Sequence, residues 1–440
     1  MQKVYATIFN KVYRMTSGWS EGTRIVCLFF CCAFLVWQFF FGPDSLEGVE
    51  MGAKGLIITL LMLVFSINGK MSPFKWNRAV YYPMILFGLG ILIINQLHSV
   101  GEGFVLYGID LIFVFPAFYY VWNCRGDHET LYRIISSVLL ISGIISFCFC
   151  LILAFKGNLI VDGARVSGHK TNPNYLGMMG VVILISGLYL LFEYHEKKLL
   201  VITTSAGIGI GISYLIISVS RTSMIAAIVC ILALLIFSLK RRRLGICSLR
   251  NKKMLALTVA VTIGIFITLG TNLNDINQSS LQENNQGVET EEQTSETDES
   301  EAVAERLGAE GKTADRFSSG RISIWKVYYD NITMLGKPIT EIKDDLEGLT
   351  ETRAHNNFLE YYYRCGYIVG TIYLLFFITM GISGLRYLFG KNYFRPKDLF
   401  VVMCIGTYAV FSMLEITMLP FIRIIPCIYF LTIAPIFKKA

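Results

Sequence analysis

The sequence predicts an all-α polytopic membrane protein of about twelve transmembrane helices, with one large extracytoplasmic loop between the ninth and tenth. Three observations lead there. The chain of 440 residues is 54% hydrophobic and only 16% charged. Its apolar runs repeatedly reach the ~20 residues a helix needs to cross a hydrocarbon core. They also lack the alternation over ~10 residues that would mark barrel strands, so each run satisfies its backbone within a helix.

The predicted spans, in order, are roughly 24–41, 50–68, 79–98, 104–123, 134–155, 175–192, 199–219, 223–239, 254–271, 357–385, 398–414 and 419–437. The first is expected to stay as an anchor, because no small-residue cleavage pattern follows "FLVWQFFFGPD". Lys and Arg then orient the bundle. With the N-terminus inside, most of them fall in cytoplasmic segments, including Lys3, Lys11, Lys70, Arg78, Lys197, Lys198 and the run from Lys240 to Lys253. The short external connections 42–49, 99–103 and 415–418 carry none, which places both termini in the cytoplasm. The net charge of +7 is therefore topological and no nucleic-acid partner is expected. The chain divides into 1–271 with helices one to nine, the loop 272–355, and 356–440 with the last three helices.

Two external segments do carry basic residues. The first, "KGNLIVDGARVSGHKTNPNYLG" at 156–177, contains Arg165, His169 and Lys170. The second is the large loop, which has two halves. Residues 282–305 are acidic, without Lys or Arg and with almost nothing apolar to bury, so this half should be a disordered spacer. Residues 314–355 differ: "ADRFSSGRISIWKVYYDNITMLG" includes Arg316 and sets Ile322, Trp325, Tyr329 and Ile332 at helical spacing, with Ser319 as a cap. An amphipathic helix rich in Trp and Tyr belongs in a membrane interface. Arg321 precedes Trp325 by one turn, where the ring face could hold its guanidinium.

One arginine stands out inside the hydrophobic sequence. Arg221, in "ISVSRTSMIAAIV", is the only charged side chain between Leu199 and Leu239. It falls at the external end of a tight turn between two spans, so its head reaches the interface at modest cost. Nearby helix starts share that layer. Asn172 can cap a helix with Pro173 in its first position, and Asn357 with Glu360 resembles a capping box that fixes the helix after His355. Three helix N-termini thus turn positive dipole ends toward a layer holding Arg165, Arg221, Arg321 and His355, which suits a polyanion and a diphosphate best. His128 and His195 lie on the cytoplasmic side and His98 has no basic neighbours, so His355 and His169 remain as candidate bases.

Other chemistries find little support. None of the eleven cysteines lies in an external loop, so no disulfide framework is expected there, and no metal ligand set or cofactor motif appears. "Gly207-x-Gly209-x-Gly211" sits within a span, where close helix packing is expected.

The motifs "Arg165-x-x-Gly168 … Asn172-Pro173-Asn174-x-x-Gly177", "Ser220-Arg221-Thr222", "Gly320-Arg321-x-x-x-Trp325" and "His355-Asn356-x-x-Leu359 … Gly366-x-x-x-Gly370" occur in this order around the large loop. Together the chain resembles the O-antigen ligase and polysaccharide polymerase family (WaaL/Wzy type) over roughly 160–375, a resemblance built on helix starts and loop arginines. It departs at the acidic insert and at Leu335-Gly336-Lys337-Pro338, where a second glycine is usual. The resemblance implies a metal-independent membrane glycosyltransferase of a bacterial inner membrane that moves a glycan from an undecaprenyl-diphosphate-linked donor to a glycan or glycolipid acceptor hydroxyl on the extracytoplasmic face. It implies His355, Arg321 and Arg221 as catalytic, and Arg165, His169, Asn172, Asn174, Arg316, Trp325 and Asn356 as substrate-binding. Polymerase and ligase stay open at this stage. The rival is a twelve-helix transporter such as a lipid-glycan flippase, although such carriers usually show two similar halves and charges lining a path.

Overall fold

The computed structural model describes residues 2–42, 48–98, 100–162, 165–170, 172–194, 196–243, 321–338, 341, 353–389 and 395–439. Among these, nine helices are long and apolar enough to cross a membrane. They run Glu21–Phe41, Arg78–His98, Gly103–Arg125, His128–Phe155, Pro173–Glu193, Lys198–Ser218, Arg221–Leu239, Asn357–Phe389 and Pro396–Leu414. This is a multi-pass membrane protein. The predicted span at 50–68 is a helix over Gly48–Ser66, whereas that at 254–271 and the acidic half of the loop lie outside the described residues.

The predicted last span, 419–437, is corrected by the structure. Only Ile424–Thr432 is α-helical, followed by a short 3-10 turn at Ala434–Phe437. The cause is proline: Pro420, Pro426 and Pro435 each lack the N–H that a continuous helix requires. Carbonyls left over in an apolar setting need other donors. Tyr119 donates its hydroxyl to the Phe430 carbonyl at 2.9 Å, Tyr132 to that of Thr432 at 2.6 Å, and Asn123 its amide to that of Ala434 at 2.7 Å.

An N-terminal helix, Gln2–Met15, escaped the sequence reading because its charges conceal its amphipathic character. It buries Phe9, stacks Tyr5 and Phe9 near Tyr120, and is tied to Met71 by the Asn10 amide. The centre of the bundle is the helix Pro173–Glu193, buried nearly all round against Lys198–Ser218. Small residues let the backbones meet there. A Cβ on Gly180 would lie 2.8 Å from the Gly211 carbonyl, and one on Gly207 would strike Leu140. The glycine repeat at 207–211 thus serves packing.

The long helix Asn357–Phe389 is interrupted at Gly366, which takes φ 79° and ψ 174°. Into that break fits the loop after the interfacial helix: Tyr367 N–H donates to the Thr333 carbonyl at 3.1 Å and Lys337 N–H to that of Tyr363 at 3.0 Å. Gly336, at φ 84°, faces Gly366, where a Cβ would lie 2.3 Å from the Met334 carbonyl. Only glycine fits on either side. Gly366→Val is therefore expected to lower the melting temperature sharply, its backbone term alone costing roughly 1–3 kcal/mol. Gly381→Ala, with no atom within 4 Å of the added Cβ, is the control in detergent-solubilised thermal unfolding. Equal melting of the two variants would refute this role of the break.

Candidate functional site

The segment before Pro173 folds as a two-stranded antiparallel hairpin, Ile160–Asp162 against Arg165–Gly168. The strand delivers Arg165 to a helix turn. Its Nε donates to the Ser218 carbonyl at 3.0 Å and a terminal nitrogen to Asn174 Oδ1 at 2.7 Å. That turn is tight, with Val219 in the left-handed region at φ 45° and Ser220 accepting the first helical bond from Met224 N–H. Arg221 opens the next helix, three residues beyond the carbonyl that Arg165 holds. Gly177 explains how the turn approaches: a Cβ there would lie 2.5 Å from Ser223 Oγ and 2.9 Å from Ser220 Cβ. The "Asn-Pro-Asn-x-x-Gly" and "Ser-Arg-Thr" motifs are thus two sides of one contact. As expected, Asn172 caps Pro173–Glu193, accepting from Asn174 N–H at 2.8 Å.

The second half of the site comes from the large loop. The segment expected to lie in the interface is a helix over Arg321–Asp330. Its buried face differs from the predicted stripe: Ile324 and Tyr328 pack against Ala354 and Tyr363, while Ile322 and Tyr329 are 44% and 64% exposed. The helix is apolar on two sides, one facing protein and the other turned out. Trp325 Nε1 donates to the Ala354 carbonyl at 2.6 Å, next to His355. His355 itself takes φ 48°, a left-handed conformation rare for a residue other than glycine. The helix cap is shifted by one from the expected capping box. Asn356 Oδ1 accepts from Phe358 and Leu359 N–H at 2.9 and 3.2 Å, and its amide donates to the Met413 carbonyl at 3.1 Å. Asn357 instead binds Thr417 and Ser412, and the buried Glu360 holds Arg364 at 2.9 Å.

The two halves meet at a residue the sequence reading did not select. Glu415, at the end of Pro396–Leu414, has one carboxylate oxygen 3.1 Å from His355 Nδ1. The other oxygen lies 3.2 Å from the Arg321 guanidinium and 3.4 Å from the Asn174 amide. A second Arg321 nitrogen donates to the Leu414 carbonyl. One signal could have pointed to Glu415: it is the only charged residue between Asp398 and Arg423. Burial pushes its carboxyl up, but the His355 and Arg321 partners prevail and hold it below the ordinary glutamate range. An ionised carboxylate only accepts, so the His355 Nδ1 that faces it carries a proton.

Arg165, Asn174, Glu415, Arg321 and His355 therefore form one connected set, with Arg221, Asn356 and Trp325 on the segments that carry it. His169 is placed elsewhere. Its Nε2 lies 2.6 Å from the Phe40 carbonyl and its Nδ1 3.4 Å from Cys150 Sγ, with the ring between Phe41 and Phe149. Arg316 and Ser319 lie outside the described residues. Among the described residues no group of His, Cys, Asp and Glu is arranged to hold a metal ion.

Residues 206–375 match the family described as O-antigen ligase (Wzy_C). The matched span includes Arg221, Arg321, Trp325 and His355. No curated protein matches the chain.

Proposed function

Because residues 206–375 belong to the O-antigen ligase family, we propose that the protein transfers a glycan from a lipid diphosphate, such as undecaprenyl diphosphate, to an acceptor sugar hydroxyl on the extracytoplasmic face of a bacterial inner membrane. The observation that carries this reading is the His355–Glu415–Arg321 cluster, a base joined through one carboxylate to a guanidinium. His355 Nε2 takes the proton of the acceptor hydroxyl as its oxygen attacks the anomeric carbon. The bond from that carbon to the diphosphate breaks, and negative charge grows on the departing phosphate. Glu415 holds the ring by Nδ1 and stabilises the imidazolium that forms. Arg321 and Arg221, with Arg165 behind them, meet the diphosphate, because planar guanidinium forks fit two phosphate oxygens at once. Developing charge met by fixed cations is stabilised without solvent rearrangement.

Two features support the extracytoplasmic placement. The Lys and Arg bias puts these segments outside, and no nucleotide sugar is found there, so a donor must arrive activated on a lipid. Trp325 and Asn356 then serve chiefly by fixing the backbone around His355.

The test is reconstitution of the full chain in lipid with a synthetic undecaprenyl-diphosphate oligosaccharide, with and without a second glycan as acceptor. Release of undecaprenyl diphosphate coupled to a lengthened glycan is expected, and it should persist with EDTA present. A polymerase uses a second donor molecule as acceptor, whereas a ligase needs the added one. Cysteines placed at 163 and 291 should react with an impermeant thiol reagent applied outside, and one at 242 should not. Export of unreacted donor without transfer, or the inverse labelling pattern, would overturn the proposal.

A further inference from the structure

Beside the candidate site the structure holds a separate cavity of about 120 Å³, several times the room one water needs. It lies where the end of Glu21–Phe41, the first turn of Pro173–Glu193 and the start of Ile424–Thr432 come together. Its wall is chemically two-sided. Lys170 and Arg423 line it together with Gln38, and the rest is apolar, including Phe39, Met178 and Ile422.

The cations are held in position. Lys170 is only 5% exposed and donates to the Gly42 carbonyl at 2.6 Å, which fixes its ammonium at the wall. Arg423 lies 4.4 Å over the Tyr175 ring. A guanidinium stacked by its face keeps its N–H groups along its edge, the direction from which an oxyanion is bound. Two fixed cations and an apolar wall in one cavity describe an amphiphile with an anionic head. A soluble anion would gain nothing from Phe39, Met178 and Ile422, and a neutral lipid nothing from Lys170 and Arg423.

We propose that this cavity binds the phosphate head of a membrane lipid, with the phosphate between Lys170 and Arg423 and the first carbons of the chain along the apolar wall. It is distinct from the His355–Glu415 cluster but borders it. Asn174, which touches Glu415 and Arg165, is followed directly by Tyr175, which carries Arg423. Two lipids share the required chemistry, a polyprenyl phosphate and an anionic phospholipid. Only the first would link the cavity to the proposed transfer, and lipid binding is measured without any turnover, so failure of one reading leaves the other standing.

The experiment titrates the purified full chain in detergent with geranylgeranyl phosphate, reading bound lipid by native mass spectrometry. Arg423→Gln, which removes the charge but keeps a polar amide, and Ile422→Trp, which fills the cavity, should each weaken binding by about tenfold or more with an unchanged melting temperature. Geranylgeraniol, without the phosphate, should compete at least about tenfold less well. Displacement of the probe by phosphatidylglycerol but not phosphatidylcholine identifies a phospholipid site, and resistance to both identifies a polyprenyl site; either outcome supports a lipid-phosphate cavity. Undiminished binding by both variants, or equal competition by geranylgeraniol, would overturn it.

Discussion

His355→Ala is expected to slow glycan transfer by roughly 10²–10⁴-fold, the usual worth of a positioned general base, while donor binding stays within a few-fold of the wild type. The split follows from geometry. The imidazole is bound to Glu415 through Nδ1 at 3.1 Å, and in the proposed mechanism its other nitrogen serves the acceptor hydroxyl while the arginines meet the diphosphate. Single-turnover rates and lipid-donor binding measured on the same preparations separate the two effects. Glu415→Gln keeps the shape and removes the charge that stabilises imidazolium, so it should lose much of the same rate. A neutral amide can also present its NH₂ to Nδ1 and favour the wrong tautomer. A fully active His355→Ala would remove the base from the mechanism altogether.

Arg321→Ala is expected to abolish detectable transfer, and Arg321→Lys to restore little of it. The guanidinium spans the Leu414 carbonyl and the Glu415 carboxylate, a reach that a single ammonium cannot copy, and loss of the charge also leaves the buried Glu415 short of a partner. Unlike the histidine variant, Arg321→Ala should weaken donor binding along with turnover. Combining Arg321→Ala with Glu415→Gln separates the roles: the double variant should recover stability, since no unpaired carboxylate remains, but no activity. The pH dependence has a defined sign. Glu415 is held below its ordinary range when folded, so its pairing stabilises fully above the ordinary glutamate value of ~4.3 and is lost as pH falls through the lowered one. Thermal unfolding at neutral pH and on acidification should show this loss in the wild type and not in Glu415→Gln. Equal acid sensitivity of the two proteins, or an active Arg321→Ala, would contradict the assignment.

Membrane class and most helix positions were legible in the sequence, because apolar run length and the need to satisfy backbone within the bilayer act locally. The same holds for the Asn172 cap and Pro173, whose preferences concern only the first turn. The errors arose where a local signal met a tertiary one. The run at 419–437 has the hydropathy of a span, but its prolines break the helix, and Tyr119, Tyr132 and Asn123, roughly three hundred residues away in the chain, take up the carbonyls. In the helix Arg321–Asp330 the protein-facing side is set by Tyr363 and Ala354, which bury Ile324 and Tyr328, a contact that spacing alone does not reveal.

For the candidate site, residue types and their order along the chain already separated Arg165, Arg221, Arg321 and His355 from the remaining charges. Arginines are costly near a membrane, and the Lys and Arg bias leads to the expectation that these lie on the side that usually lacks them. What the sequence by itself determined was therefore composition, spans and the stock of cations. What only the tertiary structure decided was the carboxylate joining them. Glu415 lies sixty residues from His355; its isolation among apolar residues marks it, but what it joins comes from four distant segments meeting at one helix end. Spacing along a chain records neighbours on one helix, whereas a charge's partner is set by distance in space, and only packing fixes that.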